Sequence, residues 1–171
     1  QETLDYKTKL TRHLGLSNVQ TVSPAPQQIR RNDAWGTMHK TNPDACCDFR
    51  KTSVLNAALE PFDGWITGRK RYQALTRSDL RIVEKTASGK TKLNPLADWS
   101  AADLAEYMDW FDLPQHPLID HGYASIGCAT CTSPVAEGED ARSGRWRGMN
   151  KIECGIHFEN GQIVRENKQN V

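Results

Sequence analysis

The five cysteines of this 171-residue chain fall into two close pairs and one single residue. Cys46 and Cys47 are adjacent, Cys128 and Cys131 form a Cys-x-x-Cys motif, and Cys154 stands alone. Four thiolates in two close pairs can hold one metal centre, and such a centre would join distant parts of the chain. This partition constrains the fold more than any other feature of the sequence.

Length and composition narrow the class of protein. A chain of 171 residues with 37% hydrophobic residues suits one domain with a core. The net charge of +1 gives no general attraction to nucleic acid or to a membrane surface. No apolar run approaches the ~18 residues of a membrane span. A Cys-x-x-Cys motif without secretory features is typical of metal or redox chemistry in a reducing compartment, so we expect a cytosolic protein.

The hydrophobic pattern predicts alternating helices and strands, which is typical of an α/β fold. Asn42 followed by Pro43 predicts one helix start, and Ser100 with Asp103 predicts another. The apolar face predicted for the second of these helices comprises Leu104, Tyr107, Met108 and Phe111. The predicted helices are 2–14, 43–59 and 100–112, and the predicted strands are 19–22, 65–68, a hairpin of 80–86 with 91–96, and a hairpin within 156–165. The polar stretch 27–41 is expected to be loop or broken helix.

The spacing of the paired cysteines bears on which metal they would hold. A single ion requires four sulfurs at about 2.3 Å, and adjacent helical side chains point about 100° apart. A cubane cluster accepts one thiolate per iron, so it accommodates Cys46 and Cys47 better. Spacing therefore favours an iron–sulfur cluster. A zinc site, a vicinal disulfide and buried apolar cysteines stay open as alternatives.

The single Cys154 has two interpretations. Unpaired cysteines often serve as small buried hydrophobic residues. Several cations precede this one, and a thiol near positive charge has a lowered pKa and is a better nucleophile. These cations are Arg142, Arg145, Arg147 and Lys151. Spacing alone does not decide between a nucleophile and a structural thiol.

Arginines recur next to the cysteines and near the ends of predicted strands. Guanidinium groups bind phosphate and sulfate oxygens in a bidentate manner, although any single arginine is more often ordinary surface charge. Together with a metal site and a reactive thiol they favour an oxyanion substrate. The positions are Arg50-Lys51, Arg69-Lys70-Arg71, Arg77, Arg142 and Arg145.

Five motifs occur in an order that resembles the assimilatory adenylyl-sulfate reductases, within the adenylyl-sulfate/phosphoadenylyl-sulfate reductase family. The resemblance runs from residue 1 to about residue 165 and implies an adenine nucleotide α-hydrolase-like sheet with flanking helices. The motifs are Cys46-Cys47-x-x-Arg50-Lys51, Thr67-Gly68-Arg69-Lys70-Arg71-x-Gln73, Ser125-Ile126-Gly127-Cys128-x-x-Cys131-Thr132, Arg142-x-Gly144-Arg145-Trp146 and Glu153-Cys154-Gly155-Ile156-His157.

The resemblance also implies a role for each site residue. Cys46, Cys47, Cys128 and Cys131 would each ligate one iron of a [4Fe–4S] cluster. Cys154 would be the nucleophile, carried on a mobile C-terminal segment of residues 152–171 that follows the reductase domain of residues 1–151. The positions expected around the substrate are Arg50, Lys51, Arg71, Arg77, Arg142, Arg145 and His157.

The activity that follows is an oxidoreductase step of sulfate assimilation and cysteine biosynthesis. The Cys154 thiolate would attack the sulfur of adenosine 5′-phosphosulfate and release AMP. Thioredoxin or glutaredoxin would then release sulfite from the S-sulfocysteine. The resemblance also implies the substrate, because family members that keep both cysteine pairs generally use the unphosphorylated nucleotide rather than the 3′-phosphorylated one. Nucleic acid and membranes are not expected partners, and a homo-oligomer is compatible with the pattern.

Three other functions are weighed against this one. The first is a reductase for the 3′-phosphorylated nucleotide, phosphoadenosine phosphosulfate. The second is a zinc-binding interaction module that uses the four paired cysteines structurally. The third is a thiol–disulfide oxidoreductase acting through Cys128 and Cys131, although no thioredoxin-like pattern surrounds that motif.

The resemblance places this chain in the C-terminal two-thirds of the family's domain. The family's first strand, its glycine- and serine-rich phosphate loop and most of its adenosine pocket precede the position of Gln1. We therefore expect these residues to lack turnover on their own.

Overall fold

The computed structural model describes residues 1–149, 151, 153 and 154. Its α-helices are α1 (Glu2–His13), α2 (Pro26–Asn32), α3 (Met38–Thr41), α4 (Pro43–Cys47), α5 (Ser53–Leu59) and α6 (Ala101–Trp110). A π-helical turn, Asp48–Thr52, joins α4 to α5. The strands are β1 (Gly64–Ile66), β2 (Val83–Lys85) and β3 (Thr91–Leu93). Short 3₁₀ turns occur at Arg71–Gln73, Leu75–Arg77, Pro117–His121 and Ala129–Cys131. None of the described helices has the length and apolar character needed to cross a bilayer.

Capping side chains begin two of the helices where the sequence predicts. The Asn42 side chain accepts a hydrogen bond from the Ala45 backbone amide at 3.0 Å, and Pro43 occupies the first helical position. Ser100 caps α6 by accepting from the Asp103 amide at 3.1 Å. Each cap satisfies a backbone N–H group that has no partner within the helix. The predicted helix over 43–59 is confirmed as α4, the π-turn and α5 in succession.

The three strands form one sheet in the order β1-β3-β2. β1 pairs parallel with β3, and β2 pairs antiparallel with β3 through the predicted hairpin. The hairpin turn closes with the Thr86 amide donating to the Lys90 carbonyl, and Gly89 adopts the left-handed conformation that its φ of +80° shows. Helices and a mixed sheet in one chain confirm the α/β class.

In this sheet the usual distribution of polarity is reversed, because apolar side chains are exposed on one face and a charged pair is buried on the other. Ile66, Leu93 and Val83 lie side by side across the strands, and they are 71%, 37% and 54% exposed. On the other face Lys92 is 2% exposed and its Nζ lies 3.5 Å from Glu84 Oε2. Parallel strands normally have both faces covered. A buried ion pair beside an exposed apolar row means that periodicity alone could not assign the inner face.

The described residues divide into two compact units whose segments alternate along the chain. The first unit comprises Gln1–Thr21, Arg69–Leu80 and the described residues of 96–151, and the second comprises Val22–Gly68, Arg81–Pro95 and residues 153 and 154. In the first unit, α1 is held by Tyr6, whose hydroxyl donates to the Pro114 carbonyl at 2.8 Å. The second unit contains the sheet and helices α2 to α5.

Two sequence-based expectations are wrong. Residues 19–22 are not a strand, and Val19 and Val22 are 42% and 51% exposed because no strand of the described sheet pairs with them. The apolar side of α6 is not buried, since Tyr107 and Phe111 are 41% and 52% exposed and contact each other with ring centroids 4.5 Å apart. The hairpin expected within 156–165 lies outside the described residues.

Gly64 is a position where the sheet tolerates no side chain. A Cβ placed there would lie 2.3 Å from the Thr91 carbonyl oxygen. Gly64→Ala should therefore destabilise the second unit by about 1–3 kcal/mol, measured by urea unfolding. Gly68→Ala is the matched control, because a Cβ there meets nothing within 4 Å. Equal stability of the two variants would contradict this account of β1–β3 pairing.

Candidate functional site

The first cysteine pair lies on α4 in the second unit. The capped start of α4 places Cys46 and Cys47 in its first turns, and the Cys46 amide donates to the Asn42 carbonyl at 3.0 Å. The Cys47 side chain is buried, with 5% of the residue exposed, and Cys46 is half-buried. The helix start thus presents two neighbouring thiols, one directed inward and one nearer the surface.

The π-helical turn after Cys47 sets the directions of the next two cations. Single-turn π-helices are rare and are frequent at functional sites. Here the turn spans Asp48–Thr52 and carries Arg50 and Lys51. Its wider hydrogen-bond spacing changes the angle at which these side chains leave the helix relative to an α-helix. The adjacent thiols and cations are therefore presented by one irregular helical segment.

Arg50 forms an ion pair with Asp33, an acid that precedes helices α3 and α4 in the chain. Its Nη2 donates to Asp33 Oδ2 at 2.7 Å, and Asp33 is 7% exposed. This hydrogen bond is the main cause of a lowered Asp33 pKa and of a raised Arg50 pKa, and Cys46 contributes further to the latter. The sequence of the polar stretch 27–41, which contains Asp33, did not predict this ion pair. Arg50 thus lies between a carboxylate and a thiol.

Lys51 contacts the single cysteine. Its Nζ lies 3.5 Å from Cys154 Sγ, and both residues belong to the second unit. Cys154 is 6% exposed. An ammonium group at this distance stabilises a thiolate over a thiol. The geometry therefore brings a buried thiol within contact distance of a cation.

A second group of cations lies in the first unit. Arg69, Lys70 and Arg77 are all less than a tenth exposed, and Arg77 Nη1 donates to Gln73 Oε1 at 2.6 Å. The pKa of Lys70 is lowered, mainly by burial and also by the positive charge of Arg77. Lys70 was grouped with its arginine neighbours in the sequence but not assigned to the site. Buried like charges of this kind suit an anion.

Arg71 is bonded to a backbone carbonyl and to an acid. Its Nε donates to the Leu80 carbonyl at 2.8 Å, and its guanidinium group forms an ion pair with Asp98. Its backbone amide donates to the Ala97 carbonyl at 3.0 Å. In the structure Arg71 therefore braces the turn that carries its neighbours.

The second cysteine pair lies on a tight turn in the first unit. The 3₁₀ turn Ala129–Cys131 is closed by the Cys131 amide donating to the Cys128 carbonyl at 2.9 Å, and Thr132 Oγ1 donates to the same carbonyl at 2.8 Å. The Trp146 amide donates to the Cys131 carbonyl at 2.9 Å. Both thiols are half-buried. The turn is thus fixed from within and by the later arginine motif.

Arg145 and Trp146 contact the residues of this cysteine turn and those just before it. Arg145 Nη1 donates to the Ile126 carbonyl at 3.0 Å, and a Cβ on Gly127 would overlap the guanidinium group. The Arg145 guanidinium lies 4.5 Å from the centre of the Trp146 ring, and Lys151 Nζ lies 5.7 Å from it. Trp146 has a φ of +49°, which is rare for a bulky residue. The sequence motif contains these residues but does not reveal the stacking.

Arg142 and His157 complete the residues expected from the sequence. Arg142 is half-buried, and its backbone groups link Asp140 to Arg145 through hydrogen bonds of 2.8 Å each. His157 lies outside the described residues. The described structure thus assigns local contacts to Arg142.

The chemistry of the cysteines fits a thiolate-ligated centre. All five sulfurs are thiols rather than disulfides, and no three described His, Cys, Asp or Glu side chains are grouped closely enough to hold a metal ion. The paired thiols occur two in each unit. A set made only of sulfur donors is typical of zinc or of iron–sulfur clusters. The donors therefore fit such a group chemically.

The loop between the cysteine turn and Arg145 is closed by an ion pair. Arg147 Nη2 and Nη1 donate to Glu139 at 2.8 Å and 3.0 Å, which lowers the pKa of Glu139 to about 2. Because the folded-state value lies below the usual 4.5, the pair stabilises the loop above that pH and loses this effect as pH falls toward 2.

Glu139→Gln should therefore lower the thermal midpoint at neutral pH. The difference from the wild type should shrink as pH falls from about 4.5 toward 2, because Glu139 then becomes protonated in both states. Thermal unfolding of both proteins across this range measures it. A difference that is independent of pH would contradict the assigned pair.

Known proteins resemble this chain in sequence and in fold. Residues 1–134 match the family described as phosphoadenosine phosphosulfate reductase domain. An adenosine 5′-phosphosulfate reductase of Mesorhizobium japonicum is 48% identical over 92% of this chain and 62% of its own length. A phosphoadenosine 5′-phosphosulfate reductase of Gloeobacter violaceus is 42% identical over 91% of this chain and 66% of its own length. The chain thus spans slightly less than two thirds of these relatives.

A solved structure supports the fold. The crystal structure of phosphoadenylyl-sulfate reductase from Candida auris, a phosphate complex, superimposes with a TM-score of 0.59 at 24% identity. The match covers 78% of this chain and 65% of that chain. At this identity the likeness concerns the fold, which agrees with the α/β class.

Proposed function

Since this chain belongs to the phosphoadenosine phosphosulfate reductase domain family, we propose that the full-length protein reduces adenosine 5′-phosphosulfate to sulfite and AMP. The proposal places this protein in sulfate assimilation leading to cysteine, in the cytoplasm. Relatives at 48% and 46% identity carry the name adenosine 5′-phosphosulfate reductase, which supports this substrate.

The observation that carries the proposal is the contact between Lys51 and Cys154. A buried sulfur 3.5 Å from an ammonium group is suited to react as a thiolate. Cys154 is therefore the proposed nucleophile, and residues 152–171 are the segment that carries it.

The first step forms one bond and breaks another. The Cys154 thiolate attacks the sulfur of the phosphosulfate, a sulfur–sulfur bond forms, and the bond from sulfur to the phosphate oxygen breaks. AMP leaves with that electron pair, and the enzyme keeps an S-sulfocysteine. A thiolate and an anionic substrate repel each other, so cations must offset the charge of the reacting groups.

Several cations are proposed for this role. Lys51 activates the sulfur, and buried cations of the first unit bind the phosphosulfate oxygens. Arg50 and Arg145 each contact a cysteine pair or its turn as well, so they would contribute charge and hold the thiols in place. The proposed substrate-binding set is Arg50, Lys51, Arg71, Arg77, Arg142, Arg145 and His157, to which the burial of Lys70 adds one residue.

The second step requires a reductant. A dithiol of the thioredoxin class attacks the Cys154 sulfur, sulfite leaves with the bonding electrons, and the mixed disulfide resolves to regenerate the Cys154 thiolate. The dithiol supplies two electrons and becomes a disulfide. The balance of the reaction therefore needs no electron from the protein itself.

The paired cysteines would hold a [4Fe–4S] cluster. Cys46, Cys47, Cys128 and Cys131 offer four thiols, and one thiolate per iron is the usual ligation of such a cluster. When bound, the cluster supplies local charge that polarises the site. Zinc has the same preference for sulfur, so metal analysis of the purified full-length protein separates the two.

A second candidate is the reduction of the 3′-phosphorylated nucleotide. The relative of Gloeobacter violaceus that is 42% identical is named phosphoadenosine 5′-phosphosulfate reductase. The two substrates differ by one phosphate group, which the same cationic region would have to accept or reject.

Sulfite release tests the proposal. The full-length protein is incubated with thioredoxin, its reducing system and either nucleotide, and kcat/KM is compared. We expect the higher value for adenosine 5′-phosphosulfate. A higher value for the 3′-phosphorylated nucleotide would favour the second candidate, and no sulfite from either would refute both.

A further inference from the structure

The buried side chain of Asn94 contacts the residues on both sides of the segment that carries the buried cations of the first unit. Residues 69–80, here termed the cationic loop, belong to the first unit, whereas the residues that precede and follow them belong to the second. Asn94, at the end of β3, is 0% exposed and contacts both of these flanks. Asn94 therefore lies outside the cationic loop and contacts the residues that flank both ends of the loop.

The Asn94 amide uses each of its polar atoms. Its Oδ1 accepts from Thr67 Oγ1 at 2.5 Å, just before the loop begins. Its Nδ2 donates to the Arg81 carbonyl at 2.7 Å, just after the loop ends, and to Glu84 Oε2 at 2.7 Å. The backbone amide of Asn94 also donates to the Ile82 carbonyl at 2.7 Å. A fully bonded buried amide fixes the atoms that it joins.

The buried charges of the cationic loop explain why restraint at its ends matters. The loop carries Arg69, Lys70 and Arg77, each less than a tenth exposed, and the charge of Arg77 acts on Lys70. Like charges in a buried site repel one another, and the lowered pKa of Lys70 reports part of that repulsion. Bonds of Arg71 and Arg77 brace the loop from within, and restraint at its two ends further limits its shape. The hydrogen bonds of Asn94 hold these ends.

We propose that Asn94 is a positioning residue, which joins Thr67 to Arg81 and thereby sets the arrangement of cations in the loop that receives the substrate oxyanion. The inference rests on the proposed function, because the oxyanion is the phosphosulfate. Asn94 itself does not touch the substrate. Its contribution is to reduce the number of conformations that the loop must lose when the anion binds.

Two variants test the proposal in the full-length protein. Thr67→Val removes one bond to Asn94 and keeps the side-chain shape, whereas Asn94→Leu removes all of the side-chain bonds. We expect the KM for adenosine 5′-phosphosulfate to rise about fivefold or more in Thr67→Val, with a smaller change in kcat, since one hydrogen bond is worth about 1 kcal/mol. Amide hydrogen exchange in residues 69–80, without substrate, should become faster.

Matched controls separate positioning from general destabilisation. Thr67→Ser retains the hydroxyl group and should restore both the KM and the slow exchange. Thr91→Val makes the same change elsewhere in the sheet, where the hydroxyl group accepts from Lys85 Nζ at 2.6 Å. It should leave KM and the exchange of residues 69–80 as in the wild type. If Asn94→Leu does not fold, Thr67→Val carries the test.

The outcomes distinguish the two proposals. Exchange or KM in Thr67→Val equal to the wild type would overturn the role of Asn94 while sulfite release by the wild type still supported the proposed function. A wild type that neither binds nor reduces the nucleotide would refute the proposed function. Hydrogen exchange would then still decide whether Asn94 fixes the loop.

Discussion

Cys154→Ser should leave the full-length protein able to bind adenosine 5′-phosphosulfate but unable to release sulfite. A serine hydroxyl is not ionised at neutral pH and cannot form the sulfur–sulfur bond that the proposed step requires. The variant keeps nearly the same volume at a position that is 6% exposed, so the fold should be retained. Calorimetry of nucleotide binding and a sulfite assay measure the two properties separately.

The comparison depends on an intact fold and on unchanged occupancy of the proposed metal centre. The four paired cysteines are untouched in this variant, so its absorbance and metal content should match those of the wild type. Sulfite release by Cys154→Ser at the wild-type rate would mean that another group accepts the sulfonate. Loss of binding together with turnover would mean that the thiol mainly shapes the pocket.

Lys51→Met should lower kcat/KM by about 10²–10³-fold, the usual effect of removing one preorganised donor from a charged reacting centre. The Lys51 ammonium lies 3.5 Å from Cys154 Sγ, and methionine keeps much of the side-chain length without the charge. Steady-state kinetics at several pH values measures the loss. The rate should recover in part at high pH, where more of the thiol ionises without the lysine.

Lys40→Met is the matched control for this prediction. Lys40 lies in α3 of the same unit, and its side chain is exposed. The same substitution there should leave kcat/KM within the experimental error. The absorbance of the metal centre should be unchanged in both variants. Turnover by Lys51→Met equal to that of the wild type would refute activation of Cys154 by this lysine.

Local signals in the sequence predicted the elements that present the first cysteine pair. Asn42 and Pro43 fix the start of α4 because the side chain of one and the ring of the other satisfy requirements of the first helical turn alone. The Ser100–Asp103 cap and the turn at Gly89 are confirmed for the same reason. Each depends on residues close in sequence.

Features that depend on distant residues could not be predicted in this way. The π-turn at Asp48–Thr52 is a change of hydrogen-bond partner and leaves no mark in composition. The pairing of Arg50 with Asp33 joins residues across two helices. The position of Asn94 between Thr67 and Arg81 requires the sheet register. These contacts arise from tertiary structure.

The sequence also did not predict which charged and aromatic side chains are buried. Lysine is a residue type that is rarely fully buried, yet Lys92 is 2% exposed. Tyr107 and Phe111 were predicted to lie on one apolar face, yet they are 41% and 52% exposed and contact each other with tilted rings. Hydropathy predicts which residues tend to be inside and does not count the ion pairs that offset the burial of a charge. The motifs indicated the chemistry, and the structure supplied its contacts.

The central claim is that Cys154 carries the sulfonate between the two steps. The most direct test is to incubate the full-length protein with adenosine 5′-phosphosulfate in the absence of any reductant and to record its intact mass. The account predicts one added SO₃ group per chain, located on Cys154 by peptide mapping, released as sulfite by thioredoxin, and matched by one AMP. Turnover with thioredoxin but no adduct on Cys154 would contradict it.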